Sequence, residues 1–405
     1  MLLAPAFAQT ASAPAPVALL RIDGAIGPAT ADYVHRGLAR AAREQSQLVV
    51  LQMDTPGGLD TAMRSIIKDV LGAPMPVAAY VGPRGARAAS AGTYILYAAH
   101  VAAMAPATNL GAATPIAIGM PSPSPGGPPD SRPDAAPGRP ASTASAPARG
   151  SDDVPTAKRV NDAAAYIRGL AQLRGRDAAW AEQSVRESVS LPADDALARR
   201  VIDLVADDVD DLLHRLDGRR VAVGAGASGP RAVFVTLATA NARVIDIEPD
   251  ARQRALAAIS DPSIALILLM IGFYGLLFEF MNPGMVAPGV VGALSLLLAL
   301  WGLQMLPINL AGLGLIVLGL AFFVAEAFVP SFGALGLGGV AAFAFGALLL
   351  VDSEAPGFGV PPALVGTLAL VSGLAVVGIA SMAARARRRP LVSGAGQMVG
   401  ATGEV

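Results

Sequence analysis

Between Pro262 and Ala384 the chain carries no lysine or arginine, and its only acidic residues there are Glu279, Glu326, Asp352 and Glu354. A water-facing surface of that length would need many more charges, whereas lipid excludes them. The stretch divides into five apolar segments, at about 263–281, 286–305, 308–328, 333–351 and 361–382. Each is close to the ~20 residues that cross a hydrocarbon core. Asn282-Pro283-Gly284, Pro307 and Pro330 mark breaks between them. The run Arg385-Ala386-Arg387-Arg388-Arg389 follows the last segment. The positive-inside rule places that basic end in the cytoplasm. Five crossings then put the amino-terminal half on the opposite side of a bacterial inner (plasma) membrane.

The first half has a different character. Val17 to Ile22, Leu48 to Met53, Pro76 to Val81 and Val101 to Met104 read as short buried strands, separated by helical spacing over Pro28 to Gln45, Leu59 to Leu71 and Ala89 to Ala99. Strand and helix in alternation predict an α/β domain with a parallel sheet and crossover helices. Residues 119–151 lose all periodicity in a run of Pro, Ser, Ala and Gly, and are expected to form a disordered loop. Further helices are predicted over Val154 to Leu173, Trp180 to Glu187 and Asp207 to Leu216. The predicted organisation is a soluble domain over 17–220, a connector over 221–261, an all-α polytopic transmembrane domain over 262–384 and a basic tail over 385–405. Residues 1–16 open with Ala6-Phe7-Ala8, which has the small-x-small form of a signal-peptidase site. They read as a signal-peptide remnant, or as a disordered Ala/Pro-rich terminus.

Charge and composition exclude several functions. The net charge of −1 argues against a general nucleic-acid binder. With no cysteine and only His35, His100 and His214, neither a thiolate nucleophile nor a metal site is expected, and no cofactor is implied. Of the 30 Lys and Arg residues only Lys68 and Lys158 are lysine. A lysine can give up its proton and an arginine cannot, so both draw attention as candidate bases.

Two motifs can carry chemistry. Pro56-Gly57-Gly58 lies at the carboxyl end of a strand, where glycines let backbone amides face an anion. Such a run also simply makes turns. In Gly85-Ala86-Arg87-Ala88-Ala89-Ser90-Ala91-Gly92-Thr93, Ser90 sits at a strand-to-helix junction. It reads either as a nucleophile at a helix amino terminus or as an ordinary N-cap. His100 lies at the far end of the same predicted helix, about 15 Å away at 1.5 Å per residue, too far to be the base. Lys68 lies beside Asp69 in a helix and reads as solvated. Lys158 opens the helix after the long loop. A lysine with a lowered pKa can take a serine proton.

Taken together, Asp54–Gly58 (DTPGG), Ala88–Ile95 (AASAGTYI), Met104-Ala105-Pro106 through Asn109 and Gly111–Pro115 resemble the NfeD family of membrane-bound proteases. Lys158 through Asn161 to Ala165-Tyr166-Ile167, then Arg186-Glu187-Ser188 and Val201-Ile202-Asp203, fit the same family. The resemblance covers about residues 17–215 and, in outline, the membrane region. It implies a Clp-protease/crotonase-like fold and a serine peptidase with a Ser–Lys dyad. Ser90 matches the nucleophile, Lys158 the general base, and the amides of Gly58 (or Gly57) and Ala91 the oxyanion hole. The implied substrate or partner is a stomatin-like (SPFH) membrane protein, cleaved in a hydrophobic segment. The expected assembly is a homo-oligomer in the lipid bilayer. Two departures stand out. The loop between Ser90 and Lys158 is long. The end of the chain resembles only the start of the cytoplasmic β-barrel that closes long family members. A non-enzymatic membrane-microdomain scaffold is the alternative reading. Transport, suggested by Glu279 and Glu326, is a third.

Overall fold

The computed structural model describes residues 14–115, 153–223, 233–282, 284–306, 308–328, 333–350 and 359–387. The loop expected over 119–151, most of the signal-peptide remnant and the tail beyond residue 387 lie outside these residues.

The chain divides into two compact units, with the boundary after Ser260. In the first unit, β1 (Val17–Asp23), β2 (Leu48–Asp54) and β3 (Val77–Val81) alternate with α1 (Pro28–Arg43) and α2 (Asp60–Gly72). Then follow β4 (Arg87–Ala89), α3 (Ala91–Ala98), β5 (Val101–Met104) and β6 (Asn109–Gly111). Beyond the long loop come α4 (Asp153–Arg174), α5 (Ala178–Arg186), β7 (Ser190–Pro192), α6 (Ala193–Ala198), β8 (Leu204–Val205) and α7 (Val209–Leu216). The unit closes with β9 (Arg220–Val223), β10 (Val233–Thr236), β11 (Val244–Asp246) and α8 (Ala251–Ile259).

The main sheet runs β11-β1-β2-β3-β5-β8 and is parallel at every pairing. Strands covered on both faces are apolar throughout rather than alternating. Accordingly Ala18, Leu20 and Ile22 pack with Val34 of α1, Ile66 of α2, Ile95 of α3 and Ile167 of α4. Val17 and Leu19 pack on the other face with Leu212, Leu213 and Leu216 of α7. Strand order advances one way from β1 to β5, so right-handed crossovers put α1, α2 and α3 on one face. The segment read as a connector is more structured than its weak alternation suggested. It holds the antiparallel β9–β10 hairpin, α8, and β11 on the edge of the main sheet beside β1. Arg21 of β1 pairs with Asp246 there, and Tyr33 of α1 donates to the Ile247 carbonyl at 2.6 Å.

Every residue of α3 is buried, so its last carbonyls need protein donors. Arg174 Nε donates to the Ala98 carbonyl at 2.9 Å, and Arg176 donates to those of Leu96 and Tyr97, each at 2.9 Å. Asp203 pairs with Arg176 at 2.8 Å and accepts the Ala102 amide at 2.7 Å. His100 follows this end. Its Nδ1 accepts the Val77 amide at 3.2 Å, which makes it a structural group, as its distance from Ser90 predicted.

The second unit holds α9 (Pro262–Met281), α10 (Ala287–Gln304), α11 (Leu310–Phe328), α12 (Ala334–Leu350) and α13 (Pro362–Arg387). Among the described residues α9 and α10 are long and apolar enough on their own to cross a membrane. The others contain shorter apolar stretches, Leu310–Glu326, Ala334–Leu350 and Pro362–Gly378. Large apolar side chains such as Leu297, Leu337 and Leu370 face outward, as lipid-facing positions do.

The α9–α10 and α11–α12 hairpins are two copies of one plan. A constant shift of forty-seven residues carries Gly272 onto Gly319, Glu279 onto Glu326, Pro283 onto Pro330, Gly289 onto Gly336 and Gly292 onto Gly339. The packing repeats with it. A Cβ on Gly272 would lie 2.8 Å from the Leu296 nitrogen, and one on Gly319 2.8 Å from the Phe343 nitrogen. Small residues at such crossings let membrane helices approach to backbone contact. The carboxylates repeat as well. Glu279 accepts the Gly284 amide at 3.3 Å, and Glu326 accepts those of Gly333 and Gly336 at 3.0 and 3.2 Å. Each thus has a structural use, accepting amides of the segment that leads into or opens the next helix.

Burial pushes the His100 imidazole down from 6.5 to about 3. The folded protein keeps it neutral, while the unfolded chain protonates it as pH falls below about 6.5. Stability is therefore complete above 6.5 and is lost with falling pH towards 3, by on the order of 1 kcal/mol per pH unit. Denaturant midpoints measured against pH should show this slope in the native chain and a flatter one in His100→Gln.

Candidate active site

The turn after β2 and the turn before α3 are laced together. The Thr55 amide donates to the Arg87 carbonyl at 2.7 Å, and the Ala89 amide to the Thr55 carbonyl at 3.1 Å. Asp54 Oδ1 accepts the Arg87 amide at 3.0 Å. The Thr55 hydroxyl is buried, accepting the Gly57 amide at 3.0 Å and lying 3.2 Å from the Gly57 carbonyl. Small residues then meet across the two turns. Gly57 has φ of 113°, and a Cβ there would lie 2.6 Å from Ser90 Cβ and 3.2 Å from its Oγ. A Cβ on Gly92, in the first turn of α3, would lie 2.6 Å from Thr55 Cγ2. A Cβ on Gly58 would overlap the Ile26 backbone.

Ser90 precedes α3 with φ 50° and ψ −115°. That is a strained conformation for a residue with a Cβ, and it persists only where the surroundings over-determine it. Here they do. The Ser90 amide donates to the Gly111 carbonyl and its carbonyl accepts the Thr93 amide, both at 2.9 Å. The buried Thr93 hydroxyl accepts the Gly111 amide at 3.0 Å and lies 2.8 Å from the Ala88 carbonyl. Ser90 occupies the N-cap position, yet its side chain caps nothing. Its hydroxyl bonds to no other described residue. The Gly58 and Ala91 amides likewise have no acceptor among the described residues. Ser90 thus has an uncommitted hydroxyl at a helix amino terminus. Gly57 differs, because its amide is taken by Thr55. Its contribution is the space that Ser90 occupies.

Lys158 lies in the first turns of α4, on the surface, and bonds to none of the described residues, Ser90 included. Its helix is nevertheless fixed against the site's elements. Tyr166 of α4 stacks on Tyr94 of α3, with centroids 6.2 Å apart and planes at 24°. Arg64 of α2 bridges Asp60 at 2.8 Å and Asp162 of α4 at 2.7 Å, with its guanidinium 4.5 Å above the Tyr166 ring. Lys68 is exposed on α2 and His35 faces Asp69 at 3.2 Å, both away from the two turns. The reading of single motifs missed Thr93, Gly111 and Arg64. Asp60 and Arg64 do stand four apart on a predicted helix, the spacing of a helical ion pair, but the Asp162 partner is remote in sequence. Among the described residues no cluster could hold a metal ion.

Comparison with known proteins identifies both units. The NfeD1b N-terminal domain matches residues 16–120, and the NfeD integral membrane domain matches residues 263–383. "Membrane-bound protease PH1510" of Pyrococcus horikoshii is 33% identical over 334 residues, 82% of this chain and 68% of that protein. "Membrane protein NfeD1b" of Bacillus subtilis is 26% identical over 334 residues, 81% of this chain and 66% of that protein. A solved structure of the "1510-N membrane protease specific for a stomatin homolog" from Pyrococcus horikoshii aligns over 60% of this chain and 98% of its own, at 30% identity and a TM-score of 0.45. The chain spans about two thirds of the length of the first two relatives. With one of them a third identical across that span and with both domain matches, the chain belongs to the NfeD family of membrane proteins.

Proposed function

We propose that the chain is a membrane-bound serine endopeptidase with Ser90 as nucleophile and Lys158 as general base. The supporting observation is Ser90 itself, a strained N-cap residue at the start of α3 whose hydroxyl caps nothing and lies against Gly57. The unprotonated Lys158 amine takes the Ser90 proton as Oγ bonds to the scissile carbonyl carbon. The resulting oxyanion is held by the Gly58 and Ala91 amides at the positive end of α3. The Lys158 ammonium returns the proton to the departing amine, and water, deprotonated by the same lysine, hydrolyses the acyl-enzyme. The name of the Pyrococcus horikoshii relative, a protease specific for a stomatin homologue, supports a stomatin-like (SPFH) protein as substrate, and the family resemblance implies a hydrophobic segment of it. A homo-oligomer in the bilayer remains the proposed assembly. A scaffold without catalysis is the second reading, favoured by Lys158 being exposed and bonded to none of the described residues, Ser90 included.

In the full-length protein in detergent, Ser90→Ala and Lys158→Ala should each lower cleavage of an apolar peptide by about 10³-fold or more, with unfolding midpoints unchanged. Substantial cleavage by either variant sinks the dyad. Wild-type protein that binds its partner while Ser90 resists a fluorophosphonate supports the scaffold.

Gly57→Ala tests the space that Ser90 occupies. Displacing a reacting atom by about 1 Å can cost about 10²-fold, so fluorophosphonate labelling of Ser90 should slow at least tenfold. Labelling at the native rate would mean that the contact does not position the hydroxyl.

The orientation proposed for the membrane unit puts the first unit outside the cytoplasm and the basic tail inside. The chain has no cysteine, so single replacements report cleanly. Asp194→Cys should react with a membrane-impermeant maleimide in spheroplasts, and Ser393→Cys only after lysis. The reverse pattern would invert the topology.

A further inference from the structure

We infer that Arg64 is a positioning residue for Lys158, an inference that rests on the dyad reading. Lys158, Asp162 and Tyr166 stand four residues apart in succession on α4, so they share one face of that helix. Arg64 holds the lower part of this stripe. One arm of its guanidinium bonds Asp162 at 2.7 Å, and its plane lies 4.5 Å above the Tyr166 ring. Its Nε bonds Asp60 at 2.8 Å. Asp60 is the first residue of α2, two positions after Gly58. The face of α4 that carries Lys158 is therefore the face drawn towards the start of α2, beside the turn that contacts Ser90. Tyr166 in turn stacks on Tyr94, one helical turn after Ser90, and the Tyr94 hydroxyl reaches the Ala113 carbonyl at 3.3 Å and the Ala163 carbonyl at 3.5 Å.

A second tie holds the adjacent side of the same turn. Arg186 of α5 donates to Asn161 Oδ1 at 3.0 Å and to Glu182 at 2.6 Å. The third turn of α4 is thus held by one arginine from α2 and one from α5. Among the described residues Lys158 makes no bond that would fix it. A long, flexible amine becomes an effective base only when its helix is held near the hydroxyl it serves. A guanidinium suits this task because its planar fork serves two carboxylates while its face covers a ring.

The test reads acylation of Ser90 by a p-nitrophenyl ester, which needs no protonation of its leaving group, in the full-length protein in detergent. Lys158→Ala should slow acylation. Failure to do so would overturn the dyad and leave Arg64 with nothing to position. If Lys158→Ala does slow it, Arg64→Gln should slow it by about 10- to 100-fold, and should add little in a Lys158→Ala background. Equal slowing in both backgrounds, or none in either, overturns the positioning role. Asp162→Asn keeps the Arg64–Asp60 pair and the Arg64–Tyr166 contact and removes only the ion pair to α4. It serves where Arg64→Gln fails to fold, and it should reproduce the loss. The pH profile separates position from charge. A displaced lysine lowers the plateau and leaves its midpoint in place, whereas a midpoint shift with an unchanged plateau would mean that Asp162 acts on Lys158 through charge alone.

Discussion

The contact between Gly57 and Ser90 is the constraint to which the rest of the first unit is fitted. Ser90 can hold φ of 50° only because Gly111 and Thr93 clamp its backbone, and it can sit where it does only because Gly57 has no side chain. The reciprocal contact, Gly92 on Thr55, prevents α3 from sliding along the β2 turn. Two strand ends and one helix start are thereby locked to each other. Strain at Ser90 is sustained by hydrogen bonds made elsewhere, which is how a fold keeps a hydroxyl away from the cap it would otherwise form.

The sheet was legible because its strands are buried on both faces. Leu48 to Met53 is apolar apart from Gln52 and Val101 to Met104 is apolar throughout, and a parallel sheet under crossover helices is the arrangement that suits such strands. β11 was not legible. Three residues on an edge leave too little alternation to detect, and its place is set by Arg21–Asp246 and by Tyr33 on Ile247, contacts remote in sequence. At the site, Pro56-Gly57-Gly58 and the small residues around Ser90 were visible as motifs. Their meaning was not, because a glycine that makes a turn and a glycine that makes room look the same in a sequence. The spent Gly57 amide and the idle Ser90 hydroxyl separate those readings only once the two turns are seen together.

The second unit shows the opposite limit. Its helices were plain from the absence of cations, but that same uniform apolarity hid the repeat. Leu, Val, Ala and Phe exchange freely at lipid-facing positions, so general similarity between the two hairpins carries little signal. What persists is what backbone contact and amide satisfaction demand, namely Gly272 and Gly319, Glu279 and Glu326, Gly289 and Gly336, Gly292 and Gly339. In lipid an unsatisfied amide is expensive. A carboxylate that serves the amides that follow it is therefore a recurrent structural device at matched positions.

The two ends of α3 complete the electrostatic logic of the site. The helix is short, about 12 Å at 1.5 Å per residue, so a charge at one end is felt at the other. Arg174 and Arg176 occupy its carboxyl end and satisfy the Leu96, Tyr97 and Ala98 carbonyls. They offset the negative pole there. An anion beside Ser90 would meet the amino terminus of α3, whose Ala91 amide has no acceptor among the described residues. Such preorganisation contributes most where the helix is excluded from water, and α3 is buried along its whole length.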